Sequence, residues 1–206
     1  MTLPPENTQN SFVAVLLAGG RSRRMGRDKA MLQLDGRPLW RYQLDTLLSL
    51  RPARTLIASR PDQTFPSLPA GVNVIADASD GAGALAALPA LLSGPLPQLP
   101  RLVTAVDMPG IGAPFLQRNF LATSGATGIV LVDDQKRIQP IPCLLAPGCL
   151  ALAHDLLATD ELSLQAFCRA CIAAGAMRAV PASPEDAPQL TSVNSPEDWE
   201  SFNEAR

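Results

Sequence analysis

Histidine is nearly missing from this chain: His154 is the only one among 206 residues. Set in "CLALAHDLLATDE", it reads as a helix residue rather than a catalytic base. No uninterrupted apolar run approaches the roughly 20 residues that a membrane-spanning helix needs. The start "MTLPPENTQNS" has neither the basic beginning nor the apolar centre of a secretory signal, so a cytoplasmic setting is expected. Neither sign of charge dominates. Seventeen Lys and Arg stand against nineteen Asp and Glu, a net −2, which gives no global case for binding nucleic acid or a membrane. Any anion site must therefore be local. Cysteine is scarce as well, with Cys143, Cys149, Cys168 and Cys171 all in the C-terminal third. Cys168 and Cys171 form a C-x2-C pair, the spacing of some zinc and redox sites, but "SLQAFCRACIAAG" has helical composition and no second pair exists. Buried structural thiols are the expectation, with zinc the alternative.

A 47% apolar fraction and a mean hydropathy of +0.11 exclude general disorder, and 206 residues suffice to bury an ordinary core. One domain over 1–206 is expected, with 1–10 as a flexible extension. Apolar runs rich in Val, Ile and Leu alternate with longer helical segments, the pattern of strands and helices over a mostly parallel sheet, an α/β class. Strands are expected at Phe12–Ala18, Arg54–Ser59, Val72–Asp77 and Arg101–Pro109, with two more in "TGIVLVDD" and "PIPCLLA" around a turn at Asp133–Arg137. A helix should begin near Pro38 and run through "LWRYQLDTLLSL". "GALAALPALLS" should be helical with a break or kink at Pro89. Two further helices, a short strand "AMRAVPA" and a last helix in "SPEDWESFNEA" complete the pattern.

Chemistry concentrates first in "VAVLLAGGRSRRMGRDKAMLQLDGRPL". A buried strand runs into Gly19-Gly20 and then into Arg21, Arg23, Arg24, Arg27 and Lys29, five cations against Asp28 alone, a local net of +4. Glycines let backbone N–H groups come close to an anion, and a loop leaving a parallel strand lies at the sheet edge where ligands bind. A triphosphate is the natural counter-charge; a ligand-free basic turn is the plainer alternative. The spacing excludes a Walker A loop, because Gly20 and Gly26 are separated by five residues and Arg-Asp-Lys follows. A Rossmann G-x-G-x-x-G is absent too. The second signal is Asp107 in "LVTAVDMPGI", a carboxylate at the end of an apolar strand. One or two such carboxylates can serve Mg2+ when phosphate and water complete its shell; a turn or helix-cap Asp is the plainer alternative. Asp77 poses the same choice more weakly.

"LLAGGRSRRMGRDKAMLQLDGRPLW" resembles the signature L-A-G-G-x-S-x-R-M-G-x-D-K-x-x-L-x-x-x-G-x-P-L of the MobA-like nucleotidyltransferases. The likeness continues through "VIAD", a degenerate "GALAA" where G-P-L-A-G is usual, "DMP", Gln139-Pro140, "SLQAFC" and "VNSPEDW", so it covers nearly the whole chain. The resemblance implies a Rossmann-like three-layer α/β/α sandwich of the nucleotide-diphospho-sugar transferase type. It is greatest to the molybdenum cofactor guanylyltransferases, in which a molybdopterin phosphate attacks the α-phosphorus of GTP and pyrophosphate leaves. It further implies nucleotide binding by Leu17, Ala18, Gly19, Gly20, Lys29, Asp77, Gly83 and Asp107, and Mg2+ on Asp107. Catalytic roles would fall to Lys29, Asp107 and Arg24, and acceptor contacts to Gln139, Pro140, Ser163 and Asn194. Three departures, Ile57, Ala87 and Ser192, bear on the base and the acceptor more than on the reaction.

The expected function is therefore transfer of GMP from GTP to a molybdopterin-type phosphate, with Mg2+ and without nucleic acid or membrane. The resemblance also implies contacts with other cofactor-synthesis proteins and with molybdoenzymes. A related transferase using CTP or another phosphorylated acceptor, and a non-catalytic nucleotide-binding protein, are the alternatives.

Overall fold

A seven-stranded sheet organises the computed structural model, which describes residues 11–20, 24–76, 83–122, 125, 127–159 and 163–206. The expected extension at 1–10, and Asp77, lie outside the described residues. The strands are β1 (Val13–Leu17), β4 (Arg54–Ser59), β5 (Val72–Ala76), β6 (Arg101–Ala105), β7 (Gly128–Val132), β8 (Ile138–Leu145) and β9 (Met177–Pro181). A separate small hairpin pairs β2 (Gln33–Leu34) with β3 (Arg37–Pro38). The sheet order is β5-β4-β1-β6-β8-β7-β9, all parallel except that β8 runs against both of its neighbours.

Strand β1 is apolar on both sides because helices cover both faces of the sheet. Val13 and Val15 point into a core with α2 (Gly83–Ser93), α4 (Cys149–Leu157) and α5 (Leu164–Ala173). Ala14 and Leu16 point into the opposite core, built with α1 (Leu39–Ser49), α3 (Ala113–Leu116) and α6 (Pro196–Glu204). Two cores flanking one sheet make a three-layer α/β/α sandwich. Among the described residues, no helix is long and apolar enough to cross a membrane.

Helix α2 continues through Pro89, so the expected break does not occur. The ring removes one N–H donor, but Leu88, Leu91 and Leu92 are buried against the sheet, and that packing holds the helix. Its C-terminal end is fixed by Arg101, a fully buried guanidinium that donates to the carbonyls of Leu91, Leu92, Pro95, Leu96 and Leu99 at 2.8–3.2 Å. All four cysteines are buried in the second core. Burial raises the Cys143 thiol and pushes Cys168 up to about 12, so both stay protonated and pack as small apolar groups. His154 sits exposed on α4.

The order of the strands locates the ligand edge. From β1 the chain goes to β4 on one side through α1, and later to β6 on the other side through α2, so the direction of winding reverses beside β1. In open α/β sheets the crevice at such a reversal, beyond the strands' carboxyl ends, is where ligands bind. Leu17 lies in register with Ala58 on one side and with Ala105 on the other. The glycine loop, the Arg60 segment and Asp107 therefore leave the sheet side by side.

Candidate active site

Gly19 comes two residues after the end of β1, pressed against the next strand's exit. A Cβ there would lie 3.3 Å from the Arg60 nitrogen and 3.4 Å from the Ser59 carbonyl carbon, so a side chain would push the loop away from β4. Gly26 takes a left-handed φ of +68°, which turns the chain back toward the sheet. Arg24 and Arg27 are exposed on this turn. Arg21 and Arg23 lie outside the described residues.

A 3-10 turn, Lys29–Met31, then carries the lysine inward. Its cap is Asp28, whose Oδ1 accepts from the Ala30 N–H at 3.0 Å, and Ala30 is fully buried beneath it. Neither this turn nor the β2–β3 hairpin was expected from the sequence. The Lys29 side chain is 12% exposed; its Nζ donates to Asn194 Oδ1 at 2.8 Å and approaches Asp107 Oδ2 at 3.5 Å. Three expected site residues, from three distant parts of the chain, thus meet at one point.

Asp107 lies two residues beyond β6, in a turn rather than on the strand. The turn is held from three directions. Met108 N–H donates to the Ala105 carbonyl, Val193 N–H donates to the Asp107 carbonyl at 2.7 Å, and Gln43 Nε2 on α1 donates to the Met108 carbonyl at 2.7 Å. None of these uses the Asp107 carboxylate, which remains 29% exposed and faces Lys29. The Val193 bond also explains why the C-terminal segment returns to the site. Asn194 is then fixed by the first turn of α6, where Asp198 Oδ2 accepts from the Asn194 and Ser195 N–H groups at 2.8 and 2.9 Å. Those backbone bonds hold the Asp198 carboxyl below its ordinary value, with Lys29 adding to the effect.

The acceptor candidates other than Asn194 occupy the same edge farther along. Because β8 is antiparallel to β6, its first residues, Ile138, Gln139 and Pro140, lie toward the carboxyl ends of the parallel strands. Gln139 Nε2 donates to Asp133 Oδ2 at 3.4 Å. Ser163 caps α5 by accepting from the Ala166 N–H at 3.2 Å, and Gln165 Nε2 donates to the Ile138 carbonyl, which ties the helix start to β8. Gly83 is the first residue of α2, and Asp77 follows β5 outside the described residues. Ile57 is fully buried and packs against the α1 side of the sheet, and Ala87 is buried on the α2 side. Both departures are core substitutions in this fold.

Sequence reasoning missed two groups of residues here. Gln43 stands among Leu39, Trp40, Leu44 and Leu47 on the buried stripe of α1, and a polar residue on an apolar stripe is the signal that could have found it. The second group follows β4. Arg60 Nη2 and Gln63 Nε2 both donate to Asp28 Oδ2 at 2.9 Å. Arg60 Nη1 donates to the carbonyls of Gly19 and Gly20 at 3.3 and 2.9 Å, and Gln63 Nε2 also reaches the Ala18 carbonyl at 3.0 Å. Burial works against the Arg60 charge, but the Asp28 and Asp62 carboxylates outweigh it and keep the guanidinium charged. An arginine immediately after the strand that neighbours β1 was the available clue.

Residues 14–174 match the MobA-like NTP transferase domain. The chain belongs to that family. A protein of Opitutus terrae described as "Probable molybdenum cofactor guanylyltransferase" is 34% identical over 191 residues, spanning 92% of this chain and 93% of that one. The molybdenum cofactor guanylyltransferase of Xanthomonas euvesicatoria is 34% identical over 146 residues, 70% of this chain and 66% of that one. In fold, the chain is similar to molybdopterin-guanine dinucleotide biosynthesis protein A from Archaeoglobus fulgidus, with a TM-score of 0.74 at 18% identity over 94% of this chain and 98% of that one. It is also similar to 2-C-methyl-D-erythritol 4-phosphate cytidylyltransferase from Thermus thermophilus, with a TM-score of 0.66 at 20% identity over 94% and 98%. The general activity of this MobA-like chain is thus nucleotidyl transfer, and the sandwich has the expected nucleotide-sugar transferase type.

Proposed function

We propose that this chain transfers GMP from GTP to the phosphate of a molybdopterin-type acceptor, releasing pyrophosphate and forming a guanine dinucleotide. The observation that carries the reading is the meeting of Lys29, Asp107 and Asn194 beside the glycine loop, at the reversal point of the sheet. The guanylyltransferase names of relatives that align over most of the chain support the choice of GTP and of the pterin acceptor.

An acceptor phosphate is already a nucleophile at neutral pH, so no strong base is required, and the lone exposed His154 is not needed. The barrier lies in bringing two anions together and in the charge that builds on the departing pyrophosphate. Gly19 and Gly20 would supply backbone donors, Lys29 a cation at the centre, and Arg24 an exposed cation for the leaving group. Asn194, already bonded to Lys29, would orient that ammonium and offer an amide oxygen to the acceptor side. Gln139, Pro140 and Ser163, farther along the edge, would border the pterin, with Asp77 and Gly83 toward the nucleoside.

The donor set fits Mg2+. Asp107 offers a partly exposed carboxylate and Asn194 an amide oxygen, hard oxygens both, and their shared contact with the Lys29 ammonium supports a place for positive charge here. Among the described residues no group of three or more His, Cys, Asp or Glu could hold a metal, so phosphate oxygens and water would complete the shell. Bound there, Mg2+ would supply charge neutralisation across the phosphates and polarise the phosphoryl group under attack. The family likeness supports contacts with other cofactor-synthesis proteins and with molybdoenzymes, which would deliver and receive the cofactor.

Pyrophosphate release, measured with Mg2+, a molybdopterin-type acceptor and each NTP in turn, tests the reading. Release with GTP is expected. Release with CTP alone would replace the guanylyl assignment, and no release with any NTP would favour a binding protein.

A further inference from the structure

The glycine loop is gripped from behind. Three consecutive carbonyls, of Ala18, Gly19 and Gly20, accept hydrogen bonds from just two side chains, Arg60 and Gln63. In a trans peptide the C=O and the following N–H point in opposite directions. Holding the Ala18 and Gly19 carbonyls toward Arg60 and Gln63 therefore turns the Gly19 and Gly20 N–H groups the other way, away from that network. We infer that Asp28, Arg60 and Gln63 form a positioning clamp that fixes the Gly19 and Gly20 amides to face the triphosphate. The inference rests on the nucleotidyl-transfer reading above and assigns residues to it that need not touch substrate.

The clamp is internally consistent. Gln63 is locked to Arg60 by two main-chain contacts: Arg60 N–H donates to Gln63 Oε1 at 2.9 Å, and Gln63 N–H donates to the Arg60 carbonyl at 3.2 Å. Arg60 Nε donates to Asp62 at 3.0 Å while its two terminal nitrogens hold Asp28 and the loop carbonyls, so all three of its nitrogens are committed to the protein. That distinguishes it from a phosphate-binding arginine. Its planar fork spans a carboxylate and two carbonyls at once, which a lysine's point charge cannot do. Asp28 links two parts of the site through its two oxygens. Oδ2 anchors Arg60 and Gln63, while Oδ1 caps the turn that carries Lys29. Loop amides and catalytic lysine are thereby set by one carboxylate.

The three residues should consequently separate kinetically. Freed loop amides weaken phosphate binding in ground and transition states alike, which raises KM with little change in kcat. Arg60→Gln and Arg60→Lys are both expected to raise KM for the nucleotide by about tenfold or more, given the strength of charged hydrogen bonds. Gln63→Leu, which leaves Arg60 in place, should raise it by roughly threefold. Asp28→Ala, which removes both the Oδ2 anchor of Arg60 and Gln63 and the Oδ1 cap of the Lys29 turn, should raise KM and lower kcat together. Tripolyphosphate binding by calorimetry, on variants whose circular dichroism matches the wild type, should weaken in the same order. Substantial rescue by Arg60→Lys would show that the charge matters rather than the fork, and would overturn the clamp. Wild-type KM and tripolyphosphate affinity in the Gln63 and Arg60 variants would overturn it as well, while leaving the proposed function standing. A wild-type protein that binds no tripolyphosphate and turns over no NTP would instead refute the functional reading, and the clamp's purpose with it.

Discussion

Asp107→Asn separates the site's contribution to catalysis from its contribution to folding. The substitution keeps the shape of the side chain and removes its charge. Lys29 Nζ lies 3.5 Å from Asp107 Oδ2, a gross attraction of about 5 kcal/mol at an effective dielectric near 20. Desolvation and screening return most of it, because the Asp107 side chain is 29% exposed, and a net of about 1 kcal/mol is the usual remainder. Lys29 also keeps its 2.8 Å bond to Asn194, so its charge is not stranded. The bonds that shape the turn run through the Asp107 and Met108 carbonyls, which the substitution does not touch. The thermal midpoint should therefore fall by only about 2–4 °C. Transfer should fall by roughly 100- to 1000-fold, the usual cost of losing one electrostatic element at a reacting phosphoryl centre. Pyrophosphate release and a thermal melt on the same preparation give both numbers. Activity within tenfold of wild type would remove Asp107 from the reaction, and a melt lowered by more than 10 °C would show that the residue holds the fold instead.

Arg101→Met should destabilise the protein by about 2–4 kcal/mol, read as a shift in denaturant midpoint, because the carbonyls at the end of α2 lose their shared donor. A shift near zero would show that those carbonyls find other donors. Gln43→Leu should cost only about 1 kcal/mol, because the Met108 carbonyl loses the Gln43 donor but keeps its bond from the Ile111 N–H at 3.2 Å, and kcat should drop as the Asp107 turn loosens; unchanged kcat would dismiss Gln43 as a positioning residue. Asp186 is 1% exposed, and burial pushes its pKa up, but hydrogen bonds from Ser183 and Arg118 outweigh that and leave it lowered. Its contribution is therefore complete above the unfolded value of about 3.9 and is lost as pH falls through the lower folded value. Asp186→Asn should flatten the acid limb of a stability-versus-pH curve below about pH 4, whereas an unaltered limb would contradict the pairing.

Much of the architecture could be read from the chain, because covered parallel strands leave an unmistakable signal. Arg54–Ser59 was expected and found with the same bounds, since six residues buried on two faces leave few alternatives. The glycine loop and Asp107 were legible for a related reason: both follow strand ends, and strand ends in such sheets share one edge. Side-chain partners were not legible. Arg60 falls just past the expected strand Arg54–Ser59, and only the pairing of β4 with β1 puts it against the Gly19 and Gly20 carbonyls. Asn194 was expected on the acceptor side, and the folding back of Val193 onto Asp107 is what places it on Lys29. Arg101 opens a strand and its charge suggests a surface, yet the end of α2 wraps it in carbonyls. Each of these depends on contacts between segments far apart in sequence or on the path of a loop, which local periodicity does not encode.

Incubating the protein with Mg2+, a molybdopterin-type acceptor and GTP labelled at the α-phosphorus, beside a parallel reaction labelled at the γ-phosphorus, tests attack at the α-phosphorus directly. The α-label should appear in a pterin–guanine dinucleotide and the γ-label in pyrophosphate. An α-label that stays with free GTP, GDP or GMP while the acceptor is unmodified would contradict the account.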